Sequence, residues 1–99
     1  MPTTGLGSAP RFDVVIRGGT IVDGTGSRGS RNDLGIRGDR VAAIGNLADA
    51  DTKRSVNATG RIVCPGFIDM HSHSDSSLLE DGLAQSAVRQ GATTHVIGN

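Results

Sequence analysis

Between residues 12 and 66 the apolar positions come in short alternating runs interrupted by glycine. In "FDVVIRGGTIVDG", Phe12, Val14 and Ile16 alternate with Asp13, Val15 and Arg17, the period of a strand with two unlike faces. Gly18-Gly19 predicts a turn, with Ile21 and Val22 opening a second short strand. "LGIRGDRVAAIG" sets Leu34 and Ile36 before Gly38-Asp39 and Val41 and Ile44 after it, the pattern of a hairpin. "SVNATGRIVCPG" repeats the theme around Thr59-Gly60 and breaks at Pro65-Gly66. The stretch reads as a meander of short β elements without a helix.

The pattern changes after Gly66. "FIDMHSH" predicts a strand ending near His71. "SSLLEDGLAQSAVRQG" carries Leu79, Leu83, Ala87 and Val88 at helical spacing, which predicts a helix within residues 79 to 90. Gly91 stands where a helix would stop, and the β-branched "ATTHVIGN" predicts another strand. Strand, helix and strand in so few residues make one βαβ unit, whose two strands should run parallel. Two architectures therefore join near Gly66. Residues 1–11 read as a flexible tail, residues 12–66 as a β-rich domain, and residues 67–99 as the start of an α/β domain that the end of the chain cuts short.

Composition narrows the function classes. A chain of 99 residues has the size of one modest domain, and its only aromatic rings are Phe12 and Phe67. Its 15 glycines are about twice the usual share, which favours turns and short strands over long helices. Ten basic and ten acidic residues cancel, so neither a nucleic-acid surface nor a polybasic membrane patch is indicated. The opening "MPTTGLGSAPR" lacks a signal-peptide core, and no stretch is apolar enough to span a bilayer. Cys64 has no second cysteine to pair with, which fits a reducing compartment. These features read as a soluble, cytoplasmic protein.

Several motifs have ordinary explanations. "GTGSRG", residues 24–29, matches the glycine pattern of a dinucleotide loop, but that loop must open a helix and here a strand pattern follows. "RGD" at residues 37–39 is explained by a hairpin tip, and "NAT" at residues 57–59 is a glycosylation sequon with no secretory signal beside it. Cys64, after an apolar run and without a cationic neighbour in sequence, reads as a small buried hydrophobe.

"GFIDMHSHSD", residues 66–75, carries more chemistry. Positions i and i+2 of a strand share a face, so His71 and His73 can grip one ion, and imidazole nitrogens suit Zn²⁺. Asp69 falls on the same face and is a candidate to orient a ligating ring. Asp75 could do likewise or could cap the next helix. Taken alone an H-x-H is as readily two polar residues at the end of a strand. Its place at the carboxyl end of a parallel strand favours the metal, because α/β barrels build their active sites there.

In order along the chain, "DVVIRGGTIVDGTG", "DLGIRGDRVAAIG", "GRIVCPGFIDMHSHSD" and "VRQGATTHVIGN" resemble the N-terminus of an amidohydrolase, within it the D-aminoacylase (N-acyl-D-amino-acid deacylase) branch. The resemblance covers residues 12 to 99. It implies part of a small β-sandwich followed by the first β-α-β of a metal-dependent (β/α)₈ TIM barrel, with His71 and His73 as ligands of a divalent metal such as Zn²⁺. It also implies hydrolysis of linear carbon–nitrogen bonds in small N-acyl-D-amino acids. Two departures stand out. His95 occupies a position where the family carries an apolar strand residue, so the resemblance gives it no metal role. The family's ligating cysteine after "GN", its later histidines and its catalytic aspartate have no counterpart in these residues, so no catalytic residue is assigned and the 99 residues alone are expected to be inactive. A cyclic-amide hydrolase of the hydantoinase or dihydroorotase kind, or a non-catalytic β-rich module, are the competing readings.

Overall fold

The computed structural model of the chain describes residues 11–74, 78 and 82–98. The tail expected over residues 1–11 falls, except for Arg11, outside them. The chain divides into two compact units, one ending at Cys64 and the other beginning at Pro65.

The first unit is a five-stranded sheet built on β1 (Phe12–Ile21). β2 (Ser30–Arg37) pairs antiparallel with one edge of β1, and β3 (Arg40–Gly45) pairs antiparallel with β2. The hairpin expected around Gly38-Asp39 is present. Gly38 takes the left-handed backbone, φ 61°, at the first turn position, where such a φ favours glycine. The other edge of β1 receives β4 (Thr52–Asn57) and then β5 (Ile62–Val63), both parallel to it.

Two expectations change here. Thr59-Gly60 does not turn a hairpin: β4 and β5 are successive pieces of one edge, matched to Phe12–Arg17 and to Thr20-Ile21. Ala58 is buried where the chain detours between them, held by Ala58 N–H donating to Arg17 O at 2.7 Å and Thr20 N–H donating to Arg61 O at 3.0 Å. The asparagine of "NAT" serves this detour, since Asn57 Oδ1 accepts from Thr59 N–H at 3.0 Å and Thr59 Oγ1 at 2.6 Å. Nor does Gly18-Gly19 end a strand. It forms a bulge within β1, where the register to β2 slips between Ile16 and Gly19. Gly18 adopts φ 78°, and a side chain on Gly19 would strike Val63 Cγ2 at 2.6 Å and Ala58 Cβ at 3.1 Å. The two glycines give the bulge and the close approach of β5, where the sequence pattern suggested a turn.

Asp33 lies opposite the bulge. Its carboxylate accepts from Gly18 N–H and from Leu47 N–H, both at 2.9 Å, and these bonds hold its pKa below the usual carboxylate value. Asp13 is lowered chiefly by Gly38 N–H, with help from Lys53, and Asp23 by the hydroxyl and N–H of Thr25. Among the described residues the core is small: Phe12, Val15, Ile21 and Ala58 are its buried apolar residues. The ring of Phe12 lies over Gly35, where a Cβ would meet it at 2.7 Å, and the guanidiniums of Arg11 and Arg37 stand 5.6 and 5.5 Å from its centroid. Val15 is fully buried although the alternation grouped it with the polar face. Val41, Ile44, Val56 and Ile62 remain exposed.

In the second unit β6 (Phe67–Asp69) pairs parallel with β7 (Ala92–His95), and α1 (Gln85–Val88) lies between them in sequence. The parallel pairing and the β-α-β order follow the sequence pattern, but the helix is shorter than its spacing predicts. Among the described residues it is a single turn, preceded by Ala84 in the left-handed region at φ 48°, with Leu83 and Val88 exposed. Leu79, the first apolar position of the expected helix, is outside the described residues. Gly91, φ 90°, follows the last turn, and its carbonyl accepts from Phe67 N–H at 2.8 Å.

Candidate metal centre

β6 is too short to contain the two histidines. It ends at Asp69, two residues earlier than the sequence predicts, so the alternation of a strand does not itself align His71 and His73. The segment after β6 is instead tied to the end of β7. Val96 N–H donates to Asp69 O at 2.8 Å and Ser72 N–H donates to Val96 O at 3.0 Å, which carries the pairing past the strand proper.

Within this tied segment odd and even positions separate. His71 Nε2 and His73 Nε2 lie 3.2 Å apart, with the ring planes inclined at 79°. Two imidazole nitrogens at ordinary Zn–N distances on a tetrahedral ion would be roughly 3.3–3.4 Å apart, so the observed separation suits two ligands of one ion. The donor set is also right: neutral imidazole suits Zn²⁺ and other divalent transition metals. Among the described residues no group of three or more His, Cys, Asp or Glu side chains converges, so the pair supplies part of a coordination sphere.

Asp69 is near the pair but acts on the backbone, where its Oδ1 accepts from His71 N–H at 3.2 Å and shapes the turn out of β6. The role of orienting an imidazole, expected from strand alternation, is not what this bond does, because the strand has ended. Asp75 is outside the described residues. Cys64 is exposed, not buried, because β1 ends opposite Val63 and leaves no neighbouring strand to cover the next residue.

The sequence reading missed the even positions. Ser74 Oγ lies 2.9 Å and Ser72 Oγ 3.3 Å from His95 Nδ1, and Ser74 N–H donates to Ser72 Oγ at 3.2 Å. His95 sits on β7 in register with Asp69. The signal was present in "HSHS" as hydroxyls alternating with imidazoles, but pairing it with His95 required the register of β6 on β7. In the glycine loop at residues 24–29, β2 follows directly and no helix N-terminus is formed, in keeping with the rejection of a dinucleotide site.

Among the described residues no helix is long and apolar enough to cross a membrane. No protein-family model matches the chain. It is 49% identical over 88 residues to the D-aminoacylase of Alcaligenes xylosoxydans xylosoxydans, a match covering 89% of this chain and 18% of that enzyme. It is 47% identical over 89 residues to the N-acyl-D-glutamate deacylase of the same organism, covering 90% of this chain and 18% of the other. Among solved structures, the N-acyl-D-glutamate deacylase from Bordetella bronchiseptica, crystallised with zinc and a phosphonate mimic of the tetrahedral intermediate, superposes with a TM-score of 0.85 at 45% identity. That match covers 89% of this chain and 19% of that one. The chain thus spans about a fifth of the length of the curated relatives it matches.

Proposed function

The chain belongs to the amidohydrolase family, matching the amino-terminal fifth of D-aminoacylases, and from that membership we propose that it contributes to a metal-dependent deacylase of N-acyl-D-amino acids. The observation that carries the reading is the 3.2 Å approach of the two Nε2 atoms, at the carboxyl end of a parallel strand pair, within a stretch nearly half identical to such enzymes. In this reading His71 and His73 hold a divalent metal, Zn²⁺ by preference. To do so both must be neutral with Nε2 unprotonated, so each ring must carry its proton on Nδ1. A bound metal of this kind activates water and polarises the acyl carbonyl. Asp69 shapes the turn that presents His71, and Asp75 is a further candidate for steadying the site.

The same reading makes the sheet of the first unit part of a β-sandwich and β6-α1-β7 the opening of a (β/α)₈ barrel. Support comes from the exposed apolar residues Val41, Ile44, Ile68, Val96 and Ile97, which such layers would cover. Two imidazoles fill at most half of a tetrahedral sphere, and no proton-handling carboxylate is assigned here. The 99 residues alone are therefore expected to be inactive, and turnover to belong to the longer architecture its relatives have. The single cysteine fits a cytoplasmic enzyme. The likeness to proteins named D-aminoacylase and N-acyl-D-glutamate deacylase supports a linear-amide substrate over a cyclic one. The test is to assay the intact protein with Zn²⁺ against an N-acyl-D-amino acid, its L-isomer and a hydantoin. Zinc-dependent turnover of the D-isomer is expected; preference for the hydantoin would overturn the substrate class, and full turnover after chelation would overturn the metal.

A further inference from the structure

The histidine pair converges although the strand that should align it has already ended, so something else must hold residues 71–74 in register. Two backbone bonds act at Asp69 and Ser72, and neither reaches His73 or Ser74. Beyond Ser72, Leu78 N–H donates to Ser74 O at 2.8 Å, and the hydroxyls of Ser72 and Ser74 both lead to one side chain, His95. Its Nδ1 stands 2.9 Å from Ser74 Oγ and 3.3 Å from Ser72 Oγ, and Ser72 Oγ in turn accepts Ser74 N–H. His95 is itself fixed, being the last residue of β7 and paired with Asp69.

We propose that His95 is a positioning residue: it clamps the hydroxyls of Ser72 and Ser74 on one side of the segment and thereby turns His71 and His73 together on the other. Its influence on metal binding rests on the metal reading of the pair, whereas its hold on the segment does not. The chemistry suits the task. A single ring nitrogen bridges two hydroxyls two residues apart, which fixes their common side, while the flanking and intervening rings, His71 and His73, meet each other through Nε2. A side chain without a hydrogen-bonding atom at that place could pack on β7 but could not set the alternation.

The test uses the intact protein and three changes: His95→Val, which keeps a strand-forming side chain; His95→Asn, which keeps a polar atom near the place of Nδ1; and the Ser72→Ala/Ser74→Ala pair, which leaves β7 untouched. In metal-free protein, amide hydrogen exchange at Ser72, His73 and Ser74 should rise about tenfold with His95→Val and with the serine pair. Combining them should add little, because both remove the same clamp. His95→Asn should restore part of the protection. In a Zn²⁺ competition titration, His95→Val and the serine pair should each raise Kd by about 10–100-fold, the range for residues that orient metal ligands. Unchanged exchange in the serine pair, or exchange effects that simply add, would overturn the clamp even if His95→Val misfolds. Faster exchange with an unchanged zinc Kd would also overturn the positioning role, provided His71→Ala abolishes zinc binding. If His71→Ala leaves zinc binding intact, the metal reading fails by itself, and the exchange data still decide the clamp.

Discussion

The two phenylalanines of the chain mark how differently its two units are made. Phe12 is 1% exposed, lies against Gly35 and stands close to two guanidiniums; Phe67 is 59% exposed at the start of a three-residue strand. Around Phe12 a sheet has formed with three carboxylates engaged by N–H and side-chain donors. Around Phe67 the described residues show two short parallel strands and little helix, yet this is where the imidazoles meet. Order and chemistry are carried by different regions, and the region with the chemistry has the thinner support among its described residues. The sharpest way to break this contrast is to truncate both rings. Phe12→Ala should cost about 3–5 kcal/mol by chemical denaturation, as for a buried ring in a packed core. Phe67→Ala should cost well under about 1 kcal/mol. Similar losses at both positions would show that the two units share one core.

The second test reverses the asymmetry. His71→Ala or His73→Ala should weaken Zn²⁺ binding by more than about 100-fold, above what is typical for residues that only orient a ligand. Neither should move the unfolding midpoint of the metal-free sheet. Equilibrium dialysis against zinc, paired with urea unfolding, reads both. A large stability loss without loss of metal would recast the histidines as structural.

Much of this was legible in the sequence where local rules decide the outcome. Gly38-Asp39 makes its hairpin because a glycine sits where the turn needs positive φ, and β6 and β7 are parallel because a helical turn separates them. Legibility failed where an outcome depends on a third strand. Whether Gly18-Gly19 is a turn or a bulge is settled by β5 lying close over Gly19, and whether Thr59-Gly60 closes a hairpin is settled by the free edge of β1. Cys64 looked buried because an apolar run precedes it, but the edge it would pair with has run out. The candidate site shows the same division. His71 and His73 are visible as a motif, whereas His95 joins the segment only through register.

A smaller effect sharpens the comparison from the side of the second unit. A Cβ on Gly66 would strike Thr93 Oγ1 and come within 2.5 Å of Thr93 Cγ2 and 2.8 Å of Thr93 Cβ, so β6 and β7 must shift to admit a side chain there. Gly66→Ala should cost about 1–3 kcal/mol, typical of overpacking, and should weaken zinc binding along with it. Gly82→Ala is the control, since its nearest neighbour, Leu78 O, is at an ordinary 3.8 Å. Equal tolerance of both substitutions would mean that β6 and β7 are not held as closely as they stand here.

The smallest effect expected is acid sensitivity that belongs to the first unit and runs through Asp33. Its carboxylate joins the bulge of β1 to the loop after β3 by accepting from Gly18 N–H and Leu47 N–H, and those donors favour the charged form. The folded chain therefore gives up this proton at lower pH than the unfolded chain, whose aspartates titrate near about 3.9. Above that value both states are ionised and the stabilisation is complete. As pH falls below it the unfolded chain takes up its proton first, and the stabilisation is lost progressively through the lowered folded value. Unfolding of the sheet should thus be insensitive to pH between 5 and 7 as far as Asp33 is concerned, and easier toward pH 3. Asp33→Asn should lower the urea midpoint at pH 6, because an amide cannot accept both N–H groups through oxygen. It should also flatten part of the acid decline, while Asp13 and Asp23, lowered by their own donors, keep the remainder. If the variant matched the parent midpoint at pH 6 and kept the full acid slope, the bridge across the bulge would contribute nothing, and the order of the first unit would rest on its buried core alone.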